Sequence, residues 1–190
     1  LFFKGTARRD AAQIAEALDA VGGVLNAFTG KEHTCYHAKV LAEHVPIAQD
    51  VLADIFLNSQ FDPTEIDRER TVVIQEILQG EDTPDEHIHD FFAEQYWPDH
   101  PLSFPICGRV ETVEGFQQRD LQDFVAARYR PDRLVIAAAG NIEHTQVVDW
   151  ATEAFGSLQG QTPAPVMAPA TARPGVYYQQ KPLEQTHVCI

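Results

Sequence analysis

The chain of 190 residues is poor in the groups that covalent and phosphoryl chemistry use. Its three cysteines, Cys35, Cys107 and Cys189, lie far apart and form no C-x-x-C pair, so no disulfide framework is encoded. Its serines are Ser59, Ser103 and Ser157, and none sits in a G-x-S-x-G elbow. Neither a G-x-x-x-x-G-K-[ST] loop nor a G-x-G-x-x-G is present, so a nucleotide has no cradle. Basic residues are few, 14 against 28 acids, and a net charge of −14 offers nucleic acid no footprint. The acidity suits a basic peptide partner, and it equally serves solubility. No stretch approaches the roughly 18 apolar residues of a membrane span.

What remains is a hydrophobic content of 44%, ample for a packed core. Ala11, Ile14, Ala15 and Leu18 fall at helical spacing after Asp10, and Gly22-Gly23 ends that helix. Val24–Phe28 and Thr34–Val40 read as two strands joined by a short turn. A helix follows over about 43–57, with Val45, Ala48, Leu52 and Ile55 inward. Asp62-Pro63-Thr64-Glu65 and Thr83-Pro84-Asp85-Glu86 are helix starts, each with a cap, an early proline and an acid. Further helices are predicted near 120–129 and 145–155, and the apolar run Leu134–Ala139 reads as a central strand. Val176–Gln179 and Thr186–Ile190 are strand-like. Hairpins and runs of helices together make this α+β rather than a βαβ alternation.

The helix after Pro63 carries the strongest chemical signal. Glu69 and Glu76 are seven residues apart, within about 20° of each other around the axis. They fall between Val72 on one side and Ile66, Val73 and Ile77 on the other. An acid buried there needs a partner, a proton or a metal. Metal chemistry is thus the better lead, yet the chain supplies few co-ligands. His33, Cys35 and His37 alternate on a strand, a spacing that an ordinary half-exposed strand face also produces. His87 and His89 point about 200° apart on their helix and cannot share an ion. By residues alone, the pair of acids lacks a partner within these residues.

Several segments together resemble one family. Phe3-Lys4-Gly5-Thr6, Gly22-Gly23-x-x-Asn26-Ala27-x-Thr29 and Arg68-Glu69-Arg70-x-Val72-Val73-x-x-Glu76 occur in order. His100-Pro101-Leu102, Pro105-Ile106-x-Gly108, Tyr129-x-Pro131 and Ala139-Gly140-Asn141 continue the set. This resembles the M16 zinc metallopeptidases, the group of pitrilysin, insulysin and the mitochondrial processing peptidase. The resemblance implies an α+β fold with a mixed, largely antiparallel sheet and helices packed mainly on one face. It implies a zinc-dependent endopeptidase that acts on extended peptides through metal-activated water.

In that family an H-x-x-E-H motif precedes the Phe-Lys-Gly-Thr segment, and its second histidine would fall immediately before Leu1. The third zinc ligand, a glutamate about 76 residues later, would be Glu76. Glu69 would support the catalytic site from outside the zinc coordination sphere. Asn26, Ala27 and Thr29 match the edge strand on which the family lays its peptide substrate. Gln75 departs from the family pattern, where an acid often precedes the ligand, as does Ser103-Phe104 in place of Gly-Arg.

The chain starts at Leu1 without methionine and stops in an alternating run, so it is expected to be a piece of a longer protein. Residues 1–155 would be a truncated N-terminal domain core, 156–175 a proline-rich surface connection, and 176–190 final strands cut short. A second M16-like half, on the same chain or a partner subunit, would complete the molecule. The alternative is a non-catalytic M16-like structural or partner subunit. Lacking both histidines and the catalytic glutamate, the chain alone is expected to be inactive and to bind zinc poorly.

Overall fold

The computed structural model describes residues 1–160, 167–182 and 184–190. Among them run seven α-helices: α1 (Ala11–Asp19), α2 (Val45–Asn58), α3 (Pro63–Asp82), α4 (Pro84–Tyr96), α5 (Val110–Gly115), α6 (Gln118–Arg128) and α7 (His144–Phe155). One hairpin, β1 (Val24–Thr29) and β2 (Thr34–Lys39), makes a two-stranded sheet. Two compact units interleave along the sequence: 1–28, 34–67 and 116–164 form one, and 29–33, 68–115 and 165–190 the other.

In the first unit, α1 begins where the Asp10 carboxylate accepts the Gln13 N–H and the Gln13 side chain accepts the Asp10 N–H. It ends at Asp19, and the chain turns away at Gly22, whose φ of 63° suits glycine. A Cβ on Gly23 would lie 2.8 Å from Val40 Cγ1 and 3.1 Å from the Leu18 carbonyl, so the chain turns into β1 too tightly for a side chain. Helix α2 packs on α1, β2 and α7. Ile14, Leu18, Ala48, Val51 and Ile55 form the buried centre, and Leu25, Tyr36, Ala38 and Val40 reach it from the hairpin. The α+β class stands, with α2 packed on the hairpin. Each fully buried aliphatic side chain there contributes about 2 kcal/mol.

Beside this core lies an aromatic layer. Phe2 stacks on Tyr129 at 5.1 Å and meets Phe61 edge-on at 5.3 Å, and Trp150 meets Phe155 edge-on at 5.6 Å. The Tyr36 and Tyr129 hydroxyls share a hydrogen bond of 2.9 Å. Burial, reinforced by that bond, raises the Tyr36 phenol above its ordinary pKa. A polar knot pins residues 6–9 to α2. Asp54, only 1% exposed, accepts hydrogen bonds from Arg9 Nη1 at 2.6 Å and from Thr6 Oγ1 and Asn58 Nδ2 at 2.9 Å each. Arg9 also pairs with Asp50, which Arg8 Nη1 meets at 2.9 Å.

The second unit holds α3 from Arg68 onward, with α4 and a 3₁₀ turn, Pro101–Ser103, packed on α4. Phe92, Tyr96 and Trp97 form an aromatic cluster along α4, with Trp97 edge-on to Tyr96 at 5.2 Å. The C-terminal segment is moored by polar contacts. Arg173 N–H donates to the Tyr96 carbonyl at 2.8 Å, Lys181 Nζ to the Glu81 carbonyl at 2.6 Å, and His87 pairs with Gln179 at 2.7 Å.

Three expected strands, Leu134–Ala139, Val176–Gln179 and Thr186–Ile190, are not strands in the structure. Val135, Val176 and Val188 in them face solvent, 87%, 93% and 74% exposed. Strand propensity expresses itself only against a cross-strand neighbour, and none among the described residues pairs with them. Helix α5 was not expected: six residues are too few to show a period. Within the proline-rich connection, Pro163 and Pro165 lie outside the described residues.

Candidate functional site

The hairpin carries one group of candidate residues. Gly30 N–H donates to the His33 carbonyl at 2.8 Å and closes the turn. Antiparallel pairing alternates from there, so the Phe28 and Asn26 amides turn toward β2 while those of Leu25 and Ala27 turn to the open edge of β1. Side chains alternate with them: Leu25 and Ala27 are half-buried, and Asn26, Phe28 and Thr29 are exposed. An extended chain could pair with this edge through backbone groups alone. Asn26 Oδ1 itself accepts the Ala27 N–H at 2.8 Å.

Helix α3 carries another group. It opens where Asp62 Oδ1 accepts the Thr64 and Glu65 amides at 2.8 and 3.4 Å, leaving proline at the first turn, where no N–H is needed. Glu69 and Glu76 share one stripe of this helix, about 10 Å apart along its axis. Glu69 is half-buried, but Glu76 is exposed, and Val72 beside them is 49% exposed. The expectation of a buried acidic pair is therefore corrected. The helical wheel places both acids beside apolar residues, but what covers a stripe is decided by non-local packing, and here water reaches Glu76. No desolvation cost compels Glu76 to seek a metal in this chain.

Glu76 makes itself felt electrostatically at Cys107. Burial first, then the carboxylates of Glu76, Asp90 and Glu86, push the Cys107 thiol above its ordinary pKa. Sequence reading missed this grouping, because the loop that brings Cys107 there has no periodic pattern. In the same unit, Lys31 Nζ donates to the Phe104 carbonyl at 2.6 Å and lies 3.7 Å from Asp90. The Asp54 knot was missed as well. Its signal was readable, since Asp54 stands three residues from Val51 on the inward stripe of α2.

A catalytic zinc takes three protein ligands and a water. Among the described residues, no group of three or more His, Cys, Asp or Glu side chains could hold a metal ion. His37 is exposed on β2, Cys35 is half-buried, and His33 precedes the strand. Glu76, open to solvent, suits the role of one ligand, but the described residues do not supply the rest. Asn26 and Ala27 belong to the first unit, and Thr29, Glu69 and Glu76 to the second. No described helix is long and apolar enough to cross a membrane.

Comparison with known proteins gives the same direction throughout. Residues 1–109 match the family described as insulinase (peptidase family M16), and residues 115–190 match the peptidase M16 inactive domain. A protein of Bacillus subtilis named an uncharacterized zinc protease is 41% identical over 190 residues, all of this chain and 46% of its own length. One so named in Mycobacterium tuberculosis is 41% identical over 198 residues, covering all of this chain and 44% of its own length. The chain thus spans about half the length of the curated relatives it matches. Among solved structures, a protease from Helicobacter pylori superposes with a TM-score of 0.81 at 22% identity, over 90% of this chain and 42% of its own. A peptidase M16 inactive domain from Pseudomonas fluorescens gives 0.80 at 17% identity, over 89% and 42%. At such identities the two structures attest the fold.

Proposed function

The chain belongs to the M16 (insulinase) peptidase family, and from that premise we propose that its parent protein is a zinc-dependent endopeptidase acting on extended peptides. In this reading Glu76 is the chain's contribution to the metal, and Glu69 supports it from further along α3. Asn26, Ala27 and Thr29 belong to the strand that receives the peptide. The two histidines and the catalytic glutamate come from sequence preceding Leu1. A second M16-like half, on the same chain or on a partner subunit, completes the working molecule. The observation that supports this most is the match of residues 1–109, a range that includes Glu76, to the peptidase family. An edge amide at Ala27 facing away from β2 suits a peptide bound by strand addition.

A second reading, a non-catalytic partner subunit, draws on the exposure of Glu76, which leaves that acid without need of a metal here.

The gene upstream of the Leu1 codon decides between them. On the first reading it encodes H-x-x-E-H ending immediately before Leu1. The protein expressed from the whole gene then cleaves a quenched fluorescent peptide, loses activity to a chelator and regains it with zinc. Glu76→Gln in that protein is expected to cut activity by roughly a hundredfold or more and to lower its zinc content. Other residues at both histidine positions, or full activity in Glu76→Gln, would overturn the reading. The 190-residue chain by itself is expected to show no peptide cleavage in the same assay, even with zinc added.

A further inference from the structure

Resting on the reading of β1 as the peptide-receiving edge, we propose that Asn26 holds that edge closed by competing with the peptide for a backbone donor. The Ala27 N–H turns away from β2, toward the side on which β1 has no neighbouring strand among the described residues. Asn26 Oδ1 occupies it at 2.8 Å. The assignment of oxygen rather than nitrogen to that contact follows from chemistry, because an N–H requires an acceptor and the side-chain NH₂ has none to offer.

The consequence follows from how strands add to an edge. Affinity in strand addition comes from main-chain hydrogen bonds, and the Ala27 amide can give only one strong bond at a time. A peptide carbonyl arriving at Ala27 must displace Asn26 Oδ1, whose carboxamide then turns out to water. Asn26 is exposed, so the rotation meets no packed neighbour that must be moved. The exchange swaps one amide hydrogen bond for another, and the peptide forgoes the net gain that a vacant donor would give. An open edge recruits any extended chain, and proteins blunt such edges with local devices. Asn26 does this with a cap that weakens every pairing at Ala27 by the same bond exchange.

The test uses the 190-residue chain, two variants and a labelled peptide rich in lysine and valine and free of proline. Asn26→Ala removes the acceptor. Asn26→Asp keeps it and adds charge, which strengthens the bond to Ala27. Hydrogen exchange at the Ala27 amide in the free proteins is expected to be fastest in Asn26→Ala and slowest in Asn26→Asp. Peptide binding by fluorescence anisotropy is expected to tighten about fivefold in Asn26→Ala and to weaken in Asn26→Asp. To separate an electrostatic effect of the new carboxylate on a basic peptide, the Asp variant is repeated with a valine-rich, uncharged peptide, where weakening is still expected. Equal exchange at Ala27 in all three proteins overturns the cap. Equal or weaker peptide binding in Asn26→Ala, with Ala27 still protected by peptide, overturns the competition and leaves the edge-strand reading standing. If the peptide protects no β1 amide in any protein, the edge-strand reading itself fails, and the gating role with it.

Discussion

Asp54 accepts three side-chain hydrogen bonds while almost fully removed from water, so its loss leaves Arg9, Thr6 and Asn58 with donors short of an acceptor. Asp54→Ala is expected to lower stability by about 2 kcal/mol, read from the urea midpoint at neutral pH. Burial opposes ionisation of Asp54, but the bonds from Asn58, Arg9 and Thr6 outweigh it and hold the carboxyl below its ordinary pKa. A lowered pKa stabilises fully above the unfolded value, about 3.9, and the contribution fades as pH falls through the folded one. The difference between wild type and Asp54→Ala should therefore shrink below about pH 4. Asp50 adds to the same acid sensitivity, since Arg8 and Arg9 prevail over its own burial. At Cys107 the sign reverses. A raised thiol pKa means little thiolate near pH 8, so its alkylation, followed by peptide mapping, should lag behind that of a free cysteine. Glu76→Gln removes one of the carboxylates responsible and should speed that reaction by roughly a factor of two, exposed charges being partly screened.

Apart from α5, the helices are legible because their signals are local. Asp10 with Gln13, Asp62 before Pro63 and Thr83 before Pro84 mark starts within four residues, and each start falls where those residues put it. Strands are a different matter. The Leu134–Ala139 run has the composition of a strand, but a ladder needs a partner distant in sequence, which composition does not specify. Glu76 taught the same lesson about burial, since its neighbours on the wheel are apolar yet the stripe stays wet. Of the candidate site, the residue types and their registers along β1 and α3 were readable, whereas the Ala27 cap and the charges around Cys107 required the fold. Two glycines test the helical reading from opposite sides. At Gly80, inside α3, a Cβ meets only Glu86 Oε2 at 3.9 Å, so Gly80→Ala should raise stability by about 0.5 kcal/mol. Gly23→Ala, pressed against Val40 and the Leu18 carbonyl, should lower it by at least about 1 kcal/mol, both measured by thermal or urea unfolding.

Across the whole chain, exposed apolar side chains at Val176, Tyr178, Val188 and Ile190 sit on segments without ladder partners among the described residues. Such segments recruit one another between molecules. Net charge of −14 opposes that encounter, and salt weakens the opposition. Sedimentation velocity should therefore show self-association that grows with ionic strength. Val176→Lys with Tyr178→Lys should suppress it even though the change lowers the net negative charge. The chain contains two tryptophans, and the units hold one each: Trp150, set against Phe155, in the first, and Trp97, set against Tyr96, in the second. Each unit thus has its own intrinsic fluorophore. Replacing either with phenylalanine leaves a single emitter, and comparing the two melting curves tells whether the units come apart together or one before the other.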